Sequence, residues 1–350
     1  PEVLSSSGNP AGEVILSITV KAVARSFGDH RVFSDVSFQL SKGEHAALIG
    51  RNGSGKSTLL RILAGVDTPD DGSVTTSGNV TMLSQQTPTT RGTVLDSVTP
   101  TKLTEARERL ELASKALHDP TGTALAEYGA AEEEFRLLGG YDFEARANAV
   151  LSGLGLDPTG KLDRLSGGQQ RRAMLAALLL SPAEALLLDE PTNHLDTASR
   201  EWLEGWIRDS PSTILLVSHD RWFLDRTVSR VLELERGSLR EWPGNYSEAM
   251  QVKRQQLEAQ QRDWEAQERR KARLKAEAGR LASIARSADR FSHRRAGNVP
   301  LITAKGKAED TSRTMARRAR SLEARIERMD EAERPWQDRL RVTVPLPDAP

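Results

Sequence analysis

GRNGSGKST, Gly50 to Thr58, is the stretch from which the rest of the chain can be placed. The apolar run His45-Ala-Ala-Leu-Ile49 precedes it, and Leu59, Leu60, Ile62 and Leu63 follow at helical spacing, so the segment reads as strand, tight loop, helix. The string fits G-x-x-x-x-G-K-[ST], a phosphate loop. Its glycines let the backbone wrap a polyphosphate and point successive amides at it, and the helix N-terminus adds a favourable field. Asn52, Gly53, Gly55, Lys56, Ser57 and Thr58 are therefore the candidate phosphate-binding residues, with Lys56 reaching the outer phosphates and Ser57 a ligand to Mg²⁺.

Working backwards, Ile15 to Ala24 and Val32 to Leu40 alternate apolar and polar residues, which predicts two strands joined around Phe27-Gly-Asp-His30. Phe27 has two ordinary fates: stacking on a base or packing in the core. Working forwards, Asp70-Asp-Gly-Ser73 reads as a turn and Val80 to Leu83 as a short strand ending near Gln85. Residues 103 to 150 carry helical periodicity with breaks near Asp119-Pro-Thr-Gly122 and at Gly139-Gly140, a helical subdomain within about 97–180.

LSGGQQRR, Leu165 to Arg172, opens a helix whose continuation to Leu180 is apolar on all sides and so expected to be buried. Ala185-Leu-Leu-Leu188 reads as a buried strand that delivers Asp189 and Glu190 at its end. Adjacent carboxylates there suit Mg²⁺ chemistry, Asp189 holding the metal through water and Glu190 orienting or deprotonating an attacking water. A further strand, Thr213 to Val217, ends in Ser218-His219-Asp220, placing a histidine where it can donate to a phosphate.

The ordered set GRNGSGKS, Gln85, LSGGQ, LLLDEPTNHLD and SHD resembles the nucleotide-binding domain of ATP-binding cassette proteins, over about residues 15–246. The resemblance implies an α/β P-loop NTPase fold with ATP and Mg²⁺ as cofactors. It also implies roles: Phe27 stacks adenine, Gln85 senses metal and attacking water, Asp189 partners the metal, Glu190 is the base, and His219 is the switch histidine. Asp196 couples two sites. In that family the signature residues Ser166, Gly167, Gly168 and Gln169 face the nucleotide on a second cassette, so a single phosphate loop and a single signature imply a partner domain.

EPTNHLD, SHDRWFLD (Ser218 to Asp225) and WPGNYS (Trp242 to Ser247) together resemble the ABC-F proteins, which pair two cassettes on one chain, have no membrane domain and act on ribosomes. After Ser247 the chain changes character. Met250, Leu257 and Trp264 recur every seven residues, joined by Leu274 and Leu281, while Met315, Ala319, Leu322, Ile326 and Met329 alternate steps of four and three. This pattern predicts a long antiparallel α-helical hairpin over 247–340. Residues 1–250 hold 25 Lys/Arg against 34 Asp/Glu, whereas 251–341 hold 24 against 14, so the back of the chain is the basic part. Arg286, Arg290, Arg294, Arg295, Lys305, Lys307, Arg313 and Arg317 gather about the hairpin tip, where they suit rRNA or tRNA phosphates, with Phe291 or His293 available to stack. In ABC-F proteins this hairpin is the P-site tRNA interaction motif.

Composition bounds the rest. No run of 18 apolar residues exists, so no segment reads as a membrane-spanning helix. Zero cysteines exclude a disulfide framework and thiolate metal sites and accord with a cytoplasmic location. Residues 1–13 have a disordered composition, and 341–350 read as the start of a linker. Pro1 in place of Met and the Pro-rich end predict missing sequence at both ends, including a second cassette. The expected function is an ATPase that binds the ribosomal E site when closed on ATP, places its hairpin beside P-site tRNA and confers antibiotic resistance by ribosome protection. The alternatives are a housekeeping ABC-F translation factor and the ATPase subunit of a drug-efflux transporter.

Overall fold

The structure is a computed structural model and describes residues 16–82, 92–117, 122–289 and 301–329. Gln85, Arg290, Phe291, His293, Arg294, Arg295 and both termini lie outside the described residues. The chain divides into two units, 1–250 and 251–350.

In the first unit, β1 (Leu16–Phe27) and β2 (His30–Ser41) form an antiparallel hairpin across Gly28-Asp29, as the alternation predicts. The second partner of β1 is β4 (Asp71–Thr76), which corrects the reading of Asp70 to Ser73 as a turn. Gly72 lies inside this strand at φ +83°, where β1 bulges at Ala22 (φ +49°); a Cβ on Gly72 would collide with the carbonyls of Lys21 and Ala22. The Asp-Gly pair that signals a turn in the sequence is here a close backbone approach.

The main sheet has the order β5-β6-β7-β3-β8-β9, from β3 (His45–Ile49), β5 (Val80–Met82), β6 (Ala185–Asp189), β7 (Thr213–Val217), β8 (Arg230–Glu235) and β9 (Ser238–Pro243). All its pairings are parallel except the β8–β9 edge. Parallel strands covered on both faces have no reason to alternate, and β7 is buried at every position. Ile18, Phe33, Leu48, Leu59, Leu187, Leu215 and Leu232 belong to one buried cluster, so β1–β2, the main sheet and the helix after the phosphate loop share a core.

Helices α2 (Val94–Val98), α3 (Thr101–Ala116), α4 (Gly122–Leu137), α5 (Gly140–Gly153) and α6 (Gly167–Leu179) fill the predicted helical subdomain. Ala173, Leu175, Ala176, Leu178 and Leu179 of α6 are buried, as the all-round apolar pattern requires. In the second unit, α9 (Tyr246–Asp289, rooted in the first unit) is followed by α10 (Leu301–Glu327). On α9 the less exposed positions from Trp264 onward include 264, 267, 271, 274, 278, 281, 285 and 288, in steps of three and four; on α10 they include 308, 312, 315, 319, 322 and 326. The predicted seam is present, but its closest-packed members are alanines, Ala278, Ala285 and Ala319, which a search for large apolar residues passes over.

The start of α9 is held by two devices. Asn245 and Glu248 exchange side chain to backbone hydrogen bonds of 3.0 Å each, a capping box. Asp225 on α8 (Arg221–Thr227) accepts from the Ser247 amide and hydroxyl, both at 2.6 Å. A carboxylate at a helix N-terminus satisfies an orphan amide and complements the helix dipole, together about 1–2 kcal/mol. Asp225→Ala is therefore expected to make the amides of the first α9 turn exchange with solvent about tenfold faster, with the β7 amides unchanged, in native-state hydrogen exchange.

Candidate active site

Because β3, β6 and β7 are parallel neighbours, their C-terminal ends lie on one edge of the sheet. Register does the rest: Ala47 pairs with Leu216, and Leu188 with Leu216, so the phosphate loop, Asp189-Glu190 and Ser218-His219 leave the sheet side by side. The crevice beyond the carboxyl ends of parallel strands is where this class of sheet binds ligands.

The phosphate loop runs into α1 (Lys56–Leu63), with Gly50, Gly53 and Gly55 at φ +159°, +80° and +99°. A side chain at Gly55 would meet Val32 and Phe33, so this glycine also lets β2 pack against the loop. Lys56 Nζ donates to the carbonyls of Gly50 (2.9 Å) and Arg51 (3.1 Å), which tethers the ammonium across the loop that would wrap the phosphates. Asn52, Gly53 and Ser57 are exposed, and Thr58 is half-buried.

Ser57 Oγ donates to Asp189 Oδ2 at 2.8 Å, joining residues 132 positions apart. A hydroxyl and a carboxylate are the hard oxygen donors Mg²⁺ takes, and it commonly completes its shell with water and substrate phosphate. No group of three or more His, Asp or Glu that could hold a metal ion occurs among the described residues, so the protein offers part of a shell and not a cage. The residues present fit Mg²⁺ shared with a bound phosphate.

Glu190 sits in the left-handed region at φ +52°, its amide donating to Val217 O at 2.8 Å. Its Oε2 accepts from the His219 amide at 3.4 Å, and the His219 ring Nε2 lies 3.6 Å from Oε1. Oε1 is buried without a hydrogen-bond partner among the described residues. Burial raises the Glu190 carboxyl above its ordinary value, with neighbouring Asp189 adding to this; the His219 amide, His219 and Lys56 act in the opposite sense. A half-buried carboxylate with one free oxygen beside a cationic loop is arranged to take a proton from a water. The His219 ring is exposed and free to reach a ligand in the crevice.

Ser166 and Gln169 form the capping box of α6, Gln169 N donating to Ser166 Oγ (3.3 Å) and Ser166 N to Gln169 Oε1 (2.9 Å). Accepting in the cap leaves the Ser166 hydroxyl hydrogen available as a donor. Gly167 is exposed, and a Cβ on Gly168 would lie 3.8 Å from His194 Cβ. Asp196 caps α7 (Thr197–Asp209), its Oδ1 accepting from Ser199 N at 2.8 Å, which holds its carboxyl below the usual range. Phe27 is 54% exposed at the end of β1, so of its two sequence-level fates the core is excluded.

Sequence reasoning passed over one contact here. Arg171 Nη1 lies 2.6 Å from His194 Nε2, tying the signature helix to the segment after Glu190. A guanidinium can only donate, so Nε2 accepts and the ring hydrogen resides on Nδ1. No spacing rule links positions 23 apart, although the run Gln-Gln-Arg-Arg does put a cation on the first turns of α6. Of the basic candidates in the second unit, Arg286, Lys307, Arg313 and Arg317 are exposed. Arg286 also lines an open groove of about 300 Å³ with Ala282, Ser312, Ala316, Arg320 and Glu323.

Two family models, each described as "ABC transporter", match residues 33–193 and 232–344. The uncharacterized ABC transporter ATP-binding protein YfmR of Bacillus subtilis (strain 168) is 40% identical over 245 residues, 67% of this chain and 39% of its own length. The energy-dependent translational throttle protein EttA of Mycobacterium tuberculosis (strain CDC 1551 / Oshkosh) is 37% identical over 252 residues, 70% of this chain and 45% of its own. The tylosin resistance ATP-binding protein TlrC of Streptomyces fradiae is 40% identical over 286 residues, 77% of this chain and 52% of its own. The chain thus spans about half or less of the length of these relatives. On its sheet order, its phosphate loop and carboxylate geometry, and these matches, the chain belongs to the ATP-binding cassette family.

Proposed function

We propose that this chain is the ATP-hydrolysing part of an ABC-F protein that acts on the ribosome. The observation that carries the reading is the continuation of the cassette, through the single helix α9, into a basic two-helix unit, with no membrane-spanning helix among the described residues. A transporter ATPase accounts for the first unit but has no use for the second. The names of two relatives accord with the proposal, one a translational throttle and the other a tylosin resistance protein.

In this reading Lys56 and the amides from Asn52 to Thr58 bind the phosphates, and Phe27 stacks the base. Ser57 and Asp189 hold Mg²⁺, which when bound neutralises phosphate charge. Gln85 senses metal and attacking water, Glu190 takes the proton from that water, and His219 donates to the outermost phosphate. Ser166, Gly167, Gly168 and Gln169 serve the nucleotide of a second cassette, and Asp196 couples the two sites. The closed pair binds the ribosomal E site, and the exposed cations of the second unit, with Arg290, Arg294, Arg295 and Lys305 in or beside the connecting segment, face P-site tRNA and rRNA phosphates. The outcome is antibiotic resistance by ribosome protection; a housekeeping translation factor would use the same chemistry.

The test is ribosome pelleting with ATP, using Glu190→Gln and the matching change in the partner cassette, with and without residues 290–305. Stable pelleting, with protection of translation from a drug lost on deleting 290–305, is the expected result. Pelleting without drug protection assigns the housekeeping role, and no pelleting in any nucleotide state returns the transporter reading to first place.

A further inference from the structure

We infer that Asp70 and Arg25 are positioning residues for the nucleotide base, holding Phe27 as a stacking platform; the inference rests on the proposal that Phe27 stacks adenine. Asp70 Oδ1 accepts from Arg25 Nη1 at 2.7 Å, and Asp70 Oδ2 accepts from the Ser26 amide at 2.6 Å. The Asp70 amide donates to Ala24 O at 2.9 Å. Three consecutive residues of β1 immediately before Phe27 are thereby fastened to one residue at the foot of β4. Arg25 Nη1 donates also to Thr68 O at 3.0 Å, which fixes the guanidinium from two directions.

So fixed, the Arg25 guanidinium carbon lies 5.2 Å from the centroid of the Phe27 ring, a cation–π contact. Arg25 Nε is buried with no hydrogen-bond partner among the described residues, so a site otherwise rich in acceptors leaves that nitrogen without an oxygen. The ring itself stays more than half exposed. A phenyl ring at the end of a strand would ordinarily sample several rotamers, and ordering it on binding costs affinity. Here that cost is met in the free protein: the cation lies over the ring, and more than half of the residue stays exposed for a flat π-system to stack on.

None of the three side chains belongs to the phosphate loop, and the two kinds of recognition separate chemically. Inorganic tripolyphosphate carries the phosphates without a base, so it reads the loop alone. Calorimetric titration of the whole chain with Mg²⁺-ATP and with Mg²⁺-tripolyphosphate distinguishes them. Phe27→Ala is expected to weaken ATP about tenfold, in keeping with the loss of one base–aromatic stack, and to leave tripolyphosphate unchanged. Asp70→Ala and Arg25→Gln are each expected to weaken ATP about three- to tenfold, again sparing tripolyphosphate. The double variant Phe27→Ala/Asp70→Ala is expected to bind ATP no worse than Phe27→Ala alone, because the two act through one ring.

Asp70→Ala that weakens both ligands equally would show a general structural role and overturn the inference. So would full ATP affinity in both Asp70→Ala and Arg25→Gln alongside a defective Phe27→Ala. Unchanged ATP affinity in Phe27→Ala would remove the base-stacking reading itself.

Discussion

Glu190→Gln is expected to lower ATP turnover by about 10³-fold while leaving nucleotide affinity within about threefold, since general base catalysis contributes on the order of 10²–10⁴. Gln preserves the shape and the hydrogen bond from the His219 amide but cannot take the proton. Burial raises the carboxyl, so the acid limb of the turnover profile lies higher in pH than for an ordinary glutamate, and turnover falls as pH drops through it. The stability sign runs the other way. A carboxyl raised by the fold favours its neutral form, so its stabilising contribution is present at low pH and lost as pH rises through the folded value. At neutral pH the charged Glu190 is a burden on the fold, and the amide variant is expected to melt at the same temperature or higher. A turnover profile identical in the variant would refute the base assignment, and a lower melting temperature would refute the burial argument.

Lys56→Ala is expected to weaken Mg²⁺-ATP by at least about 100-fold, because a charge-assisted hydrogen bond to phosphate is worth about 1.5–3 kcal/mol and the loop also loses its cation. The Lys56 ammonium is held by Gly50 O and Arg51 O, so its loss also frees the loop carbonyls. Equilibrium binding separates the two variants: Lys56→Ala fails to bind, and Glu190→Gln binds without turning over. Equal loss of binding in both would break the division of labour between loop and base.

The elements legible in the sequence were those whose signals lie within a few residues of one another. The phosphate loop was readable because glycine placement, lysine and the flanking apolar runs are contiguous, and the helix that opens at Leu165 to Arg172 because its apolar continuation is unbroken, whereas the capping box of Ser166 with Gln169 came from the structure. The strand before Asp189 was readable because four apolar residues in a row fit a strand buried on both faces. Asp70 to Ser73 was misread because Asp-Gly pairs serve turns and close strand crossings alike, and only the bulge of β1 decides between them. The α9 seam was half legible, since alanine packs a helix interface without standing out in composition.

What the sequence determined by itself, then, is the inventory: a phosphate loop, two carboxylates, a signature string that opens a helix, a histidine after a buried strand and a helical pair with a basic surplus. What only the tertiary structure decided is their juxtaposition. Ser57 meets Asp189 across 132 residues and Glu190 meets His219 across 29, because parallel register aligns three strand ends. Asp70 meets Arg25 because β4 pairs antiparallel with β1, and Arg171 of α6 meets His194 across 23 residues. Local periodicity records which face of an element is apolar, and it is packing of those faces that sets which polar ends come together.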